Sequence, residues 1–128
     1  MRESGGWTLL LDQATRSLQN GNVQQAETFA REALAEAEKT FDSAHRAIDR
    51  SLSTLGLVLR FSRKYEEAER VLRRSLAIKE KTLGPGHASV AHTLNNLAEV
   101  TQAMGKPDEA RRLRDRALAI HVGGGPAR

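Results

Sequence analysis

KYEEAERVLRRSLAI, residues 64–78, returns 42 residues later as KPDEARRLRDRALAI, residues 106–120, with Lys64, Glu67, Ala68, Arg70, Arg74, Leu76, Ala77 and Ile78 falling on identical residues. The same shift carries Leu52, Leu55 and Val58 onto Leu94, Leu97 and Val100. It also lays Glu38-Lys39-Thr40 on Glu80-Lys81-Thr82, and His45 on His87. A first, more diverged copy keeps the small positions: Ala26 matches Ala68 and Ala110, and Ala33 matches Ser75 and Ala117. A fixed period of this length is the mark of a repeat protein, and three copies are about the minimum for a stable stack, because each unit buries its apolar face only against a neighbour.

Within a unit, apolar residues recur at three- and four-residue spacing, as on an amphipathic helix. In unit two, Ile48, Leu52, Leu55, Gly56 and Leu59 form one stripe, and Ala68, Val71, Leu72, Ser75 and Leu76 a second. The small residues Gly56, Ala68 and Ser75 let two helices approach where a larger side chain would overpack. Turns fall at Asn20-Gly21-Asn22, Ser62-Arg63-Lys64 and Gly105-Lys106-Pro107, of which the middle one lacks glycine. Gly84-Pro85-Gly86 stops the second helix of unit two. Six helices are expected, at about 7–20, 23–41, 46–62, 65–82, 88–104 and 107–121. The domain reading follows: a flexible N-terminus over 1–6, one repeat domain over 7–122 (units 7–48, 49–90 and 91–122), and a flexible Gly-rich tail over 123–128.

Composition agrees with an all-α reading. Leu, Ala, Glu, Arg and Gln favour helices, while Pro numbers 3 and aromatic residues make up 4%. The 128 residues suit one domain, and with no Cys there is no disulfide framework, thiolate metal site or cysteine nucleophile. The net charge of +4 comes from interspersed Arg and Glu, as on solvated helix faces. No basic run is interleaved with aromatics, which argues against a nucleic-acid partner. The run Leu9-Leu10-Leu11 is too short for a signal-peptide core or a membrane span, so no membrane insertion and a cytoplasmic location are expected.

The stretches Lys64–Glu69, Arg73–Ile78, Leu83-Gly84-Pro85-Gly86-His87 and Leu94-Asn95-Asn96-Leu97-Ala98 together resemble the 42-residue tetratricopeptide repeats of kinesin light chains and many bacterial relatives. The resemblance covers about residues 7–121. It departs from the pattern at Gln13, where a large apolar residue is usual, and at Thr101 and Arg114, where aromatics are usual. It implies an α-solenoid, a right-handed superhelix whose first helices line a concave groove that holds peptides or partner helices. It implies no catalytic residue and no cofactor.

Helical geometry also points to a face on the first helices. At about 100° per residue, Leu57 lies about 160° around from Leu55, so the two cannot share one buried stripe. Leu57 and Phe61 thus share another face with Arg50, Ser53, Thr54 and Arg60. They either meet a ligand or pack on the neighbouring unit. The matching face of the fifth helix carries His92, Asn95, Asn96, Glu99 and Gln102. Apolar pockets beside amide and charged groups suit an extended peptide. The resemblance implies that Asn95 and Asn96 lie on the inner face of the groove, with simple solvation as the alternative.

Other chemistry finds little support. His87 and His92 are five apart, where a helical two-His metal site wants four; His45 and His87 read instead as a turn or capping contact repeated with the fold. Ser51, Ser53 and Ser62 lack nucleophile-elbow glycines. Gly123-Gly124-Gly125 follows a helix rather than opening one, so it is no phosphate cradle. Arg111, Arg112, Arg114 and Arg116 read as a polar outer face, with Arg114 making unit three a partial cap and an acidic partner as the alternative. The expected function is a non-enzymatic protein–protein interaction module; the alternative is a homo-oligomer, associating end to end or groove to groove.

Overall fold

A computed structural model of the protein describes residues 5–42 and 45–123. Six helices follow in order: α1 Gly5–Gln19, α2 Val23–Thr40, α3 Arg46–Phe61, α4 Tyr65–Leu83, α5 Ala88–Ala103 and α6 Pro107–Gly123. No strand occurs among the described residues. Gly5, Gly6 and Gly123 are helical, although the sequence reading puts them in the flanking segments. Terminal turns carry few of a helix's hydrogen bonds, so the weak propensity of Gly costs little there. The remainder of both flanking segments, 1–4 and 124–128, lies outside the described residues.

Helices pair α1 with α2, α3 with α4 and α5 with α6, and the pairs stack through α2 on α3 and α4 on α5. The first helices also touch, α1 with α3 and α3 with α5, whereas no backbone contact joins α2 to α4 or α4 to α6. The stack therefore closes up along its first helices and opens along its second.

Close approach inside a unit depends on small residues. Ala26, Ala68 and Ala110 are fully buried, as are Ala33, Ser75 and Ala117 to within 1%. At Gly56 a Cβ would stand 2.5 Å from both Cγ and Cδ2 of Leu72. The same pair of positions holds Ala14 and Ala30 in unit one, and Ala98 and Arg114 in unit three. Each pair thus keeps at least one small residue.

All three turns close alike. The amides of Asn22, Lys64 and Lys106 donate to the carbonyls of Ser17, Leu59 and Thr101 at 2.8, 2.9 and 2.9 Å. Each bond needs a left-handed residue just before the donor, as in the Schellman helix stop. Gly21 and Gly105 supply it at φ 82° and 81°, and Arg63 at φ 65°. At the starts of α3 and α5, His45 Nδ1 accepts from the Ala47 amide at 2.9 Å and His87 Nδ1 from the Ser89 amide at 3.0 Å. The repeated histidines are helix caps. None of the described helices is long and apolar enough to cross a membrane.

Candidate functional site

Two clefts lie at the two ends of α3. The first, about 270 Å³, is lined by Arg46, Asp49, Arg50, Ser53, Thr54, Lys79, Leu83 and Ser89. The second, about 350 Å³, is lined by Arg60, Phe61, Arg63, Tyr65, Glu99 and Ala103. Both bridge α3 and α5, and half-buried Leu57 lies on α3 between them.

The structure thus brings Arg50, Ser53 and Thr54 together at one end, and Arg60, Phe61 and Glu99 at the other. Arg60 Nη1 lies 3.8 Å from Glu99 Oε1, tying the two first helices. Phe61 is 53% exposed, so it does not disappear into the neighbouring unit. The Arg60 guanidinium sits 4.7 Å from its ring centre, and that of Arg50 lies 5.4 Å from the Trp7 ring on α1. Among the α5 residues, His92, Asn95, Glu99 and Gln102 are exposed, while Asn96 is buried. Gln102 Oε1 accepts from Arg114 Nη2 at 3.3 Å. His92, Asn95, Asn96 and Gln102 line neither cleft.

Beneath the first cleft lies a group that sequence reasoning missed. Asp49 and Lys79 are buried and joined by a hydrogen-bonded ion pair, and Ser75 Oγ donates to the Asp49 carbonyl at 3.1 Å. The repeat equivalents of Asp49 are Trp7 and Ala91, and those of Lys79 are Ala37 and His121. A charge on the buried stripe of one unit alone was the available signal. A third cleft of about 550 Å³ follows the unit-two turn, from Arg63 to Arg70, with Met104 at its edge.

The second helices are linked by charge. Arg31 Nη1 meets Glu67 at 2.9 Å and Arg74 meets Glu38 at 3.1 Å between α2 and α4, and Lys64, the cap of α4, meets Glu27 at 2.9 Å. One period later the equivalent residues pair likewise: Arg73 with Glu109, Arg116 with Glu80 and Lys106 with Glu69. Burial tends to raise the Glu27 carboxyl, but hydrogen bonds from Lys64 and Arg31 outweigh it and hold the group below its ordinary value. The Arg31 hydrogen bond does the same for Glu67 and raises the Arg31 guanidinium in turn. Burial works against Arg73, yet its bonds to Glu69 and Glu109 leave it raised.

Against this geometry, the model of the tetratricopeptide repeat matches residues 9–81 and again residues 51–121. The chain belongs to the tetratricopeptide repeat family. Tetratricopeptide repeats are generally a non-enzymatic scaffold for protein–protein interaction. Among solved structures it is similar to a Podosopora anserina protein described as a kinesin light chain with nearly identical TPR-like repeats, at 28% identity and a TM-score of 0.88 over 98% of this chain and 60% of that one. BtubC (BKLC) from P. vanneervenii shares the fold at 22% identity and a TM-score of 0.83, over 95% of this chain and 51% of that one. The TPR domain of Arabidopsis FLU does so at 20% identity and 0.80, over 91% and 95%. This chain therefore spans 60% of the Podosopora protein and 51% of BtubC. No curated protein matches its sequence.

Proposed function

We propose that the chain binds an extended peptide segment of a partner protein along the first-helix face, from Arg50 across Leu57 to Phe61. The observation that carries this reading is the pair of clefts at the two ends of α3, one rich in hydroxyls and the other holding the exposed Phe61 ring. The first offers two guanidiniums and three hydroxyls, with Lys79 already neutralised by Asp49. It suits a carboxylate, either an acidic side chain or a chain terminus. The second offers the exposed Phe61 ring and Tyr65 among Arg60, Arg63 and Glu99, and suits an aromatic side chain flanked by polar groups. Asn95, exposed on α5, stands ready for peptide amides. The relatives support a scaffold role, and their share of length leaves partner identity to experiment.

The test is selection of peptides from a random library on the wild-type chain, with affinities measured by fluorescence polarisation. Selected peptides should carry an acidic and an aromatic residue at fixed separation. They should bind an Arg50→Ala, Leu57→Ala, Asn95→Ala variant at least about tenfold more weakly, a loss of about 1.4 kcal/mol. Circular dichroism should remain unchanged. Peptides that bind wild type and variant equally would refute the groove assignment.

A further inference from the structure

The first cleft holds more positive charge than the stacking of repeats calls for. Arg46, Arg50 and Lys79 outnumber its single lining carboxylate, Asp49, by two, whereas the surplus in each of the other two clefts is one. Asp49 is paired with Lys79, and neither guanidinium forms an ion pair among the described residues. Residues that packing requires recur with the repeat, and these three cations do not. One period earlier their positions hold Ser4, Thr8 and Ala37, and one period later Ala88, His92 and His121.

The hydroxyls of the cleft are unusual in the same way. Thr15, Thr28, Thr40, Ser51, Thr82 and Thr93 each turn their hydroxyl back onto the carbonyl four residues earlier, a common resting place for such a group in a helix. Ser53, Thr54 and Ser89, half-buried in the cleft wall, make no side-chain hydrogen bond among the described residues. Each keeps an O–H to donate. Ser89 also stands in the first turn of α5, where the helix dipole favours an anion and no acidic side chain is present.

A carboxylate answers one unit of this charge and brings two acceptor oxygens. A phosphate monoester carries about −1.5 to −2 and brings three. Its charge matches two uncompensated guanidiniums, and its oxygens match three free hydroxyls. We infer, resting on the peptide site proposed along α3, that the first cleft receives a phosphoserine or phosphothreonine of the partner's segment, so that phosphorylation of the partner strengthens its binding. A phosphopeptide fits better than a small free anion, because only a chain can fill this cleft and reach past Leu57 to Phe61 at once.

Degenerate peptides centred on a fixed phosphoserine, captured on the wild-type chain, test this. Each captured peptide is remade with Glu or Ser at that position and its affinity measured by fluorescence polarisation. The phosphoserine form should bind wild type at least about tenfold more tightly than the Glu form, as one further charge-assisted hydrogen bond provides. In an Arg46→Gln, Arg50→Gln variant that preference should disappear. Both residues are exposed, so circular dichroism should not change. Leu57→Ala should weaken every form alike and keep the preference. Glu and phosphoserine forms of equal affinity would overturn the inference; if Leu57→Ala still weakened both, the peptide site itself would stand. A preference that survives in the Arg46→Gln, Arg50→Gln variant would also overturn it, since the phosphate would then sit elsewhere, and so would capture of no peptide. Binding indifferent to Leu57→Ala would refute the path along α3 and the inference with it.

Discussion

Gly56 on α3 and Leu72 on α4 are fitted to each other: a Cβ on the first would stand 2.5 Å from two carbons of the second. Ala at position 56 therefore gains helix propensity of about 1 kcal/mol and loses more to overpacking, about 1–3 kcal/mol. Urea denaturation should show Gly56→Ala less stable by up to about 2 kcal/mol. In the Gly56→Ala, Leu72→Ala double variant, the losses should sum to less than the two single ones by at least about 0.5 kcal/mol. Strict additivity would mean the two residues do not share that space.

Arg63 occupies the left-handed position that Gly21 and Gly105 fill in the other units. That conformation costs a non-glycine residue about 1–2 kcal/mol, and glycine recovers it less the extra entropy of its unfolded chain, about 0.5–1 kcal/mol. Arg63→Gly should raise stability by about 0.5 kcal/mol, a rise of about 2 °C in Tm. Gly105→Ala should lower stability by about 1 kcal/mol. Differential scanning calorimetry reads both.

The buried pair of Asp49 and Lys79 makes a sharper prediction. Removing one partner strands the other charge in the core, and Asp49→Ala should cost about 3–5 kcal/mol. The double variant Asp49→Ala, Lys79→Ala installs the residues found at Ala91 and Ala37 in the neighbouring units. It should recover much of the loss, since no charge is left uncompensated. A double variant as unstable as the single one would show the pair to be a net source of stability.

Glu27 and Glu67 are held below their ordinary carboxylate values. Their ion pairs contribute fully above the unfolded-state value, about 4.3. That contribution is lost as pH falls through the depressed folded-state values. Stability measured by urea should fall as pH drops from about 4.5 downward. The fall should be shallower in Glu67→Gln and at high salt, since partly exposed pairs are screened.

Most of the architecture was written in the period. Apolar spacing placed all six helices, because burial of one face decides a helix more strongly than any end signal does. The face of α3 was legible for the same reason, through Leu57 and Phe61 standing off the buried stripe. What lay beyond reading was how residues far apart in sequence meet. Ser89 and Lys79 join Arg50 in one cleft only because the α4–α5 turn folds back on α3. Asn95 and Asn96, adjacent and alike, separate into an exposed and a buried residue, since about 100° of rotation carries one toward the core. The charge bridges between second helices were present as opposite signs 36 residues apart, as at Arg31 and Glu67, a spacing that means nothing until the helices are stacked.

Unit two offers Glu69, Arg73 and Glu80 on one side and Lys64, Glu67 and Arg74 on the other, and those two sets match each other as well as they match its neighbours. Residues 49–90 are in that sense a tile that fits its own copy. A gene that duplicated this segment whole would lengthen the protein without breaking one bridge. A duplication whose length is not a multiple of 42 residues would misalign the bridges that span it. The growth of such a chain over evolutionary time is thereby quantised, and its permitted lengths differ by whole multiples of a single unit.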